Sequence, residues 1–315
     1  MNRKKRLLPA GLALLVCLCF FVSCSDRSQD FSDMGGAEIP LASGIPETAL
    51  PTATASGTKT EASALVSLDY SNTADGYLML KYTGTNSKVK TQITGPNGTT
   101  YTYNQALDGS FDVYPLSEGD GSYKLCVYEN ISEQSYACIF SFRVTVSLKN
   151  EFSPFLISNK YVNYNYDSKV VKKAAELCSN KKTVLAKISA VYSYVIQNFS
   201  YDYTLAKTVK SGYIPELDAV MDKKIGICFD YAAVMTAMLR SQSIPTKLVF
   251  GYTGSVYHAW ILTYSPERGW LTTFIYFDGK NWKLMDPTFA STGESSSEIM
   301  AYIGNVKNYT AKYLY

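Results

Sequence analysis

Histidine is almost missing from this sequence, since His258 is the single one in 315 residues. A zinc site built on several imidazoles is therefore excluded. No two cysteines have the CxxC spacing that would supply thiolate ligands instead. We accordingly expect neither a bound metal nor a cofactor in this protein.

The chain also lacks an excess of positive charge beyond its first residues. Its formal net charge is +3, from 30 basic and 27 acidic side chains, and four of the basic ones occupy positions 3–6. The remaining 26 basic and 27 acidic side chains leave a net charge of −1, so we expect no nucleic-acid partner. A content of 46% hydrophobic and 18% charged residues is typical of a globular protein, and the length suggests about two domains.

The N-terminal apolar run is short for a membrane span. It covers Leu7–Val22, which is 16 residues, whereas a spanning helix needs about 20. Together with the basic positions 3–6, it predicts a signal peptide over residues 1–23. The residues Phe21 to Cys24 resemble a bacterial lipobox, which implies a lipid on Cys24 and an exported, membrane-anchored lipoprotein on the bacterial cell surface. The alternative is an ordinary secretory signal with an incidental thiol at this position.

Residues 24–63 contain little that can form a core. The segment is rich in Ser, Thr, Ala, Gly and Pro, as in the run 52–57, and it has a period of neither 2 nor 3.6. Such a composition buries too little apolar surface to offset the entropy lost on ordering. We predict a disordered tether that holds a folded protein away from the membrane.

Short strand-like runs separated by turn residues fill the segment 64–148. Tyr77–Tyr82 is one such run, and the Gly-containing stretches 95–98 and 118–121 are turn signals. Regularly spaced strands without helical periodicity predict an all-β sandwich of immunoglobulin-like type. The segment has no histidine, no cluster of acids and no glycine-rich phosphate loop, so we expect a spacer or a binding module.

Two cysteines of this segment have the spacing of a facing pair. A hairpin turn near Glu129–Glu133 would pair Tyr128 with Tyr136 and place Cys126 opposite Cys138. In an exported protein such a pair can form a cross-strand disulfide. The alternative, which we favour, is a pair of small buried hydrophobic side chains.

The pattern changes after Asn150. Asp167–Ser179 and Thr183–Asn198 have apolar residues at helical spacing. Strand-like runs follow at positions 247–252, 258–264 and 282–286. Helices followed by antiparallel strands predict an α+β domain over residues 149–315.

A cysteine stands at the predicted start of a helix. Cys228 precedes a run with apolar residues at helical spacing, and Ile244-Pro245 ends that run. The macrodipole and the unsatisfied N–H groups of the first turn favour the thiolate, which is the reactive form of the side chain. Gly226 has no Cβ, so it would let the preceding backbone pass close to a substrate.

Partners for a cysteine nucleophile follow in chain order. His258 lies 30 residues after Cys228, at the predicted start of a strand, and Asp286 lies 28 residues further on. A thiol nucleophile needs a base that takes its proton and later returns it to the leaving group. That base needs a carboxylate to hold its tautomer and to stabilise the imidazolium. The sequence supplies one candidate for each role.

These motifs together resemble those of the transglutaminase-like superfamily. The resemblance rests on residues 226–232 (Gly-x-Cys-x-Asp-Tyr-Ala), on His258-Ala-Trp and on Asp286-Pro-Thr, and it covers roughly residues 160–290. It implies a papain-like α+β fold. It further implies Cys228 as the nucleophile, His258 as the general base and acid, and Asp286 as the orienting carboxylate.

The sequence departs from the family pattern before the aspartate. Many members place the aspartate nearer the histidine, and here Ser265–Phe277 looks like an insertion that makes the rim of the site peculiar to this chain. Asp278 is a rival for the carboxylate role, but Asp278-Gly279 is also a hairpin turn signal. Asp230 is expected to complement the helix dipole rather than to catalyse.

The predicted activity is cell-surface, thiol-dependent acyl transfer on a protein, peptide or cell-wall amide. The oxyanion donor is either the backbone N–H of Cys228 or, with weaker support, the hydroxyl of Tyr201 or Tyr203. Water attacking the thioester would hydrolyse a peptide or amide bond, which we expect, whereas a lysine amine would form a cross-link. The alternative is a catalytically inactive binding or structural module of a lipoprotein.

Overall fold

The computed structural model describes residues 50–271, 275–277, 282–284, 288 and 308–315. The predicted signal peptide, Cys24 and Asp286 lie outside these residues. The described part belongs to one compact unit, residues 42–315. None of its helices combines the length and the apolar character that crossing a bilayer requires.

Eight strands form the N-terminal part in two antiparallel sheets. One sheet has the order β1-β2-β3-β6 and the other the order β5-β4-β7-β8. The strands are β1 (Thr60–Ala62), β2 (Val66–Asp69), β3 (Tyr77–Tyr82), β4 (Val89–Thr94), β5 (Thr100–Asn104), β6 (Asp112–Pro115), β7 (Gly121–Ser132) and β8 (Ser135–Val146).

Alternation along the strands explains how the two sheets share a core. In β4, Val89, Thr91 and Ile93 are buried while the residues between them are partly exposed. Apolar side chains of both sheets, such as Leu80 and Ile93, belong to the same buried cluster. The prediction of a strand over Tyr77–Tyr82 is confirmed.

The ordered chain begins earlier than the predicted tether allows. Thr60–Ala62 pairs with β2 as an edge strand, although its side chains are exposed. Before it, the backbone N–H of Thr54 donates to the Tyr77 hydroxyl at 3.1 Å, and that of Gly57 donates to Asp69 Oδ2 at 2.6 Å. These hydrogen bonds hold a segment that buries little apolar surface, so the prediction of disorder as far as Ser63 is wrong for its last residues.

The register of the β7–β8 hairpin differs from the predicted one. Cys126 pairs with Ser141, and Cys138 pairs with Tyr128, because the hairpin turns between Ser132 and Ser135, closer to the C-terminus than the predicted turn near Glu129–Glu133. The prediction that the two cysteines face each other is therefore wrong. Both thiols are free, and only Cys126 is buried. Burial, followed by the charge of nearby Cys126, raises the pKa of Cys138.

The described residues of the C-terminal part include the helices α1 to α5 and antiparallel strands, as the α+β prediction requires. Its main sheet has the order β13-β12-β11-β16, and two shorter pairs are β9 with β10 (parallel) and β14 with β15 (antiparallel). The elements are α1 (Lys169–Cys178), α2 (Val184–Asn198), β9 (Ser200–Tyr201), α3 (Tyr203–Thr208), α4 (Leu217–Lys223), β10 (Ile225–Gly226), α5 (Cys228–Arg240), β11 (Thr246–Thr253), β12 (Val256–Ser265), β13 (Gly269–Leu271), β14 (Ile275–Phe277), β15 (Trp282–Leu284) and β16 (Tyr309–Leu314).

Helix α5 is the centre of this part. Every residue from Phe229 to Arg240 is buried, because α1, α2 and α4 surround the helix together with β11 and β12. A helix that is buried on all sides needs no polar face. Its first residue, Cys228, is thereby fixed on a rigid element.

Tyrosines join the two parts of the described chain. The ring of Tyr101, on β5, lies 5.5 Å from that of Tyr313 and 5.4 Å from that of Tyr315, measured between centroids. The ring of Tyr103 lies 5.8 Å from that of Tyr315 and 5.3 Å from that of Tyr161. We call these five residues the tyrosine cluster. It attaches an N-terminal strand directly to the C-terminal sheet.

Candidate active site

The structure places Cys228 where the sequence predicts it. It is the first residue of α5, and its side chain is half-buried. The unsatisfied N–H groups of the first turn lie around it, and the positive end of the macrodipole favours a negative charge there. Helix N-termini of this kind are places where reactive cysteines occur.

Asp230 fixes the start of the helix. Its Oδ2 accepts a hydrogen bond from the backbone N–H of Ile227 at 2.7 Å, and its Oδ1 accepts one from the hydroxyl of Tyr213 at 2.5 Å. The residue is fully buried, and burial raises the pKa of its carboxyl. It thus complements the dipole, as expected, but it also ties the segment that ends at Tyr213 to the first turn of α5.

Gly226 leaves space for the side chain of Asp230. A Cβ at this residue would lie 2.5 Å from Asp230 Cβ and 2.8 Å from its Cγ. The absent side chain therefore makes room for the Asp230 carboxyl group and for its two hydrogen bonds. The glycine serves the helix cap and through it Cys228, and the predicted approach of a substrate at this residue stays a prediction.

His258 lies on the strand next to the hairpin turn. In β12 it pairs with Gly251 of β11, and its side chain is buried. Its ring stacks on that of Trp260, with centroids 6.1 Å apart and planes inclined by 19°. A Cβ on Gly251 would lie 2.7 Å from Trp260 Cη2 and 2.0 Å from the Thr310 carbonyl oxygen. Glycine is thus required here so that the tryptophan behind His258 and strand β16 can both pack.

One cavity brings the two residues together. Its volume is about 620 Å³, and both Cys228 and His258 line it. The predicted carboxylate Asp286 lies outside the described residues. Strand β15, which ends at Leu284, pairs antiparallel with β14, as the hairpin predicted before Asp286 requires.

Aromatic side chains dominate the cavity wall. Among the described residues that line it, Lys210 is charged and none is acidic. Burial, followed by neighbouring tyrosines and Cys228, raises the pKa of Tyr257 to about 12. Burial together with Asp230 raises the pKa of Tyr213. Both tyrosines therefore stay protonated and neutral near pH 7, and the hydroxyl of Tyr213 donates its proton to Asp230.

The two tyrosines named as oxyanion donors differ in position. Tyr201 lines the cavity, whereas Tyr203 is 58% exposed and packs against the Tyr201 ring with centroids 5.0 Å apart. Sequence reasoning missed Tyr213 and Tyr257, which both line the cavity. The sequence could have indicated Tyr257, because it directly precedes His258 in the chain. It could not have indicated Tyr213, since only the fold brings that residue to Asp230.

A metal centre finds no support in the described residues. No three of their His, Cys, Asp or Glu side chains lie close enough together to hold an ion. The expectation of a site without metal or cofactor stays a prediction.

Comparison with known proteins identifies the segment that carries the site. Residues 171–273 match the model of the transglutaminase-like superfamily. The chain is 26% identical over 151 residues to the uncharacterized protein YebA of Bacillus subtilis, covering 40% of this chain and 20% of that protein. It is 29% identical over 117 residues to a protein-glutamine gamma-glutamyltransferase of Pseudomonas aeruginosa, covering 32% and 17%. The chain thus spans a fifth or less of the length of these curated relatives.

A solved structure is also similar. The periplasmic domain of TgpA from Pseudomonas aeruginosa, bound to ethylmercury, aligns with a TM-score of 0.33 and 17% identity, over 69% of this chain and 94% of that one. The segment matched to the family model contains Cys228 and His258 and ends before Asp286. The resemblance to the transglutaminase-like superfamily is thereby confirmed for residues 171–273.

Proposed function

We propose that the chain is a thiol-dependent acyl-transfer enzyme. The observation that carries the proposal is the shared cavity, with Cys228 on a helix N-terminus and His258 on the adjoining sheet. In the first step the Cys228 thiolate forms a bond to the carbonyl carbon of a peptide or carboxamide. The C–N bond then breaks, and the imidazolium of His258 gives its proton to the departing amine. A thioester remains on the enzyme.

We propose hydrolysis as the second step. His258 takes a proton from water, the hydroxide adds to the thioester, and the thiolate of Cys228 leaves. The half-buried position of Cys228 supports this choice, because water can reach the thioester. A lysine amine that arrives instead of water would give a cross-link by the same chemistry. Asp286 completes the proposal as the group that orients His258.

The surroundings of the enzyme are part of the proposal. The lipobox-like residues before Cys24 support an exported lipoprotein on a bacterial cell surface, whose substrate is a protein, a peptide or a cell-wall amide. For residues 64–148 we propose an immunoglobulin-like sandwich. The sheet orders support it, because β2-β3-β6 and β4-β7-β8 correspond to the A-B-E and C-F-G groups of that fold, with β5 beside the second group.

Site-resolved alkylation tests the proposed nucleophile. We expect iodoacetamide at neutral pH to alkylate Cys228 at least about tenfold faster than the exposed Cys138, because only Cys228 lies at a helix N-terminus. Peptide mass spectrometry follows both rates in the same sample. His258→Gln should slow the first rate and leave the second unchanged. Equal rates at the two cysteines in the wild type would contradict the proposal.

A substrate panel tests the reaction itself. Wild-type protein is mixed with peptides, cell-wall fragments and amines, and intact mass detects an acyl group on the enzyme. The acyl adduct should be absent from Cys228→Ala. A variant Cys228→Ala that matches the wild type in every assay would instead support an inactive binding module.

A further inference from the structure

A strand of the N-terminal sheets reaches the cavity of Cys228. Thr102, on β5, lines the same cavity as Cys228 and His258. Its side chain is exposed, whereas its neighbours Tyr101 and Tyr103 are buried. The alternation of the strand therefore aims Thr102 away from the core. The Thr102 hydroxyl accepts a hydrogen bond from Gln92 Nε2 at 3.2 Å, so a change of this side chain alters the cavity and one surface contact but not the core behind the strand.

Strand β5 is held rigidly against the C-terminal sheet. The tyrosine cluster packs Tyr101 and Tyr103 against Tyr315, and the backbone N–H of Leu314 donates to the Tyr101 hydroxyl at 3.4 Å. The Tyr101 hydroxyl in turn donates to Glu118. Buried aromatic contacts of this kind fix position and orientation together. The strand is thus a fixed wall rather than a loosely attached neighbour.

A second contact joins β5 to a loop that also lines the cavity. A Cβ on Gly212 would lie 2.4 Å from Asn104 Nδ2, so the loop backbone packs directly on this side chain. Gly212 has a φ of +90°, a conformation that favours glycine. Residues 209–213 of the loop line the cavity, and Tyr213 anchors them to Asp230. The N-terminal strand and the first turn of α5 thereby support one continuous wall.

We propose that Thr102 is a specificity-determining residue of this site, and that the wall containing it selects acyl donors with an apolar or aromatic group beside the scissile amide. The inference rests on the proposed function. The lining supports this chemistry: rings such as Phe229, Phe250 and Tyr257 face the cavity, and no described lining residue is acidic. A cationic group at this place would find no carboxylate among these residues, and Lys210 would repel it.

Two probes of different width test the inference on the full chain. Iodoacetamide and N-benzyl iodoacetamide carry the same electrophilic carbon, and in each the sulfur–carbon bond forms as iodide leaves. Peptide mass spectrometry follows alkylation of Cys228 and, as an internal reference, of Cys138. We expect the benzyl probe to be favoured over iodoacetamide more strongly at Cys228 than at Cys138, because the aromatic wall binds its ring.

Substitution of Thr102 is the decisive variant. Thr102→Trp should slow the benzyl probe at Cys228 by about tenfold or more, because the larger side chain occupies the space of the ring, and should change the iodoacetamide rate by less than about twofold. Thr102→Ala should speed the benzyl probe. Thr145→Trp is the matched control, since Thr145 is an exposed threonine on β8, at the other edge of the same sheet. It should change neither rate.

The outcomes separate the two proposals. If neither probe favours Cys228 over Cys138 in the wild type, the proposed function fails, and this inference fails with it. If both probes favour Cys228 but the Thr102 variants alter neither rate, the proposed function stands and the inference is overturned. An equal effect of Thr145→Trp would also overturn it, because the change would then be general to the sheet.

Discussion

Helix α5 buries a charged side chain near each end, Asp230 in its first turn and Arg240 as its last residue. At the first end the carboxylate binds the helix N-cap and the loop that lines the cavity. At the last end the guanidinium donates to three backbone carbonyls, those of Thr246 at 2.8 Å, Ile157 at 2.7 Å and Tyr315 at 2.6 Å. One end holds the site, and the other joins distant segments of the chain.

The two buried side chains differ in the number and the location of their hydrogen-bond partners. Arg240 has a rigid fork of donors that can reach three carbonyls at once, which no other side chain supplies. Burial lowers its pKa to about 10, so it stays charged near neutral pH. Asp230 offers two acceptor oxygens and has two donors. Full pairing makes both buried groups tolerable, but only the partners of Asp230 belong to the cavity.

The largest effect should come from removing the guanidinium. Arg240→Met keeps most of the aliphatic volume and leaves three carbonyls without their donor, so we expect a loss of about 3 kcal/mol in the free energy of unfolding. Urea denaturation followed by circular dichroism measures it. The free energy of unfolding of Arg240→Lys should lie between those of the wild type and Arg240→Met, because an ammonium cannot reach all three carbonyls. The alkylation rate of Cys228 in the folded fraction should stay unchanged, and a stability within about 0.5 kcal/mol of the wild type would contradict the expectation.

Gly226→Ala should cause the next largest loss of stability, and it acts at the N-terminal end of α5. The new Cβ would overlap Asp230 Cβ at 2.5 Å, so the backbone must shift or the helix cap must open. We expect a loss of about 2 kcal/mol in the free energy of unfolding, together with slower alkylation of Cys228. Cys138, on β8, is the internal reference, and its rate should not change. An unchanged rate at Cys228 would show that the cap does not position the thiol.

Asp230→Asn tests the charge of the cap through pH. Burial raises the pKa of Asp230 in the folded protein, so the folded state keeps its proton at pH values where the unfolded chain, with a pKa of about 3.9, has lost it. The stability that protonated Asp230 contributes is fully present below the pKa of the unfolded chain and is lost as pH rises through the pKa of the folded state. Asp230→Asn lacks this pH-dependent contribution. Urea denaturation at several pH values between about 4 and 7 should show that Asp230→Asn costs more stability at the acidic end; a larger cost at neutral pH would contradict the expectation.

The sequence predicts individual helices and strands better than the contacts between them, because residue spacing and turn residues determine the former. The start of α5 at Cys228 and the strand Tyr77–Tyr82 follow from spacing and turn residues alone. The predicted pairing of Cys126 with Cys138 failed because the hairpin turns between Ser132 and Ser135, and spacing alone did not locate that turn. Thr102 and Tyr213 were missed because long-range packing brings them to the cavity.

Tyr213→Phe should cause the smallest loss of stability, and it tests directly whether the bond to Asp230 shapes the cavity wall. It removes one hydroxyl and leaves Asp230 Oδ1 without its donor, so we expect a loss of about 1 kcal/mol in the free energy of unfolding. The loop 209–213 would then lose its hydrogen bond to the first turn of α5, and alkylation of Cys228 by N-benzyl iodoacetamide should change more than alkylation by iodoacetamide. Tyr166→Phe is the matched control, because that ring is 67% exposed and does not line the cavity, and it should change neither quantity. If both variants behave alike, the bond between Tyr213 and Asp230 does not shape the wall, and the two ends of α5 differ only in stability.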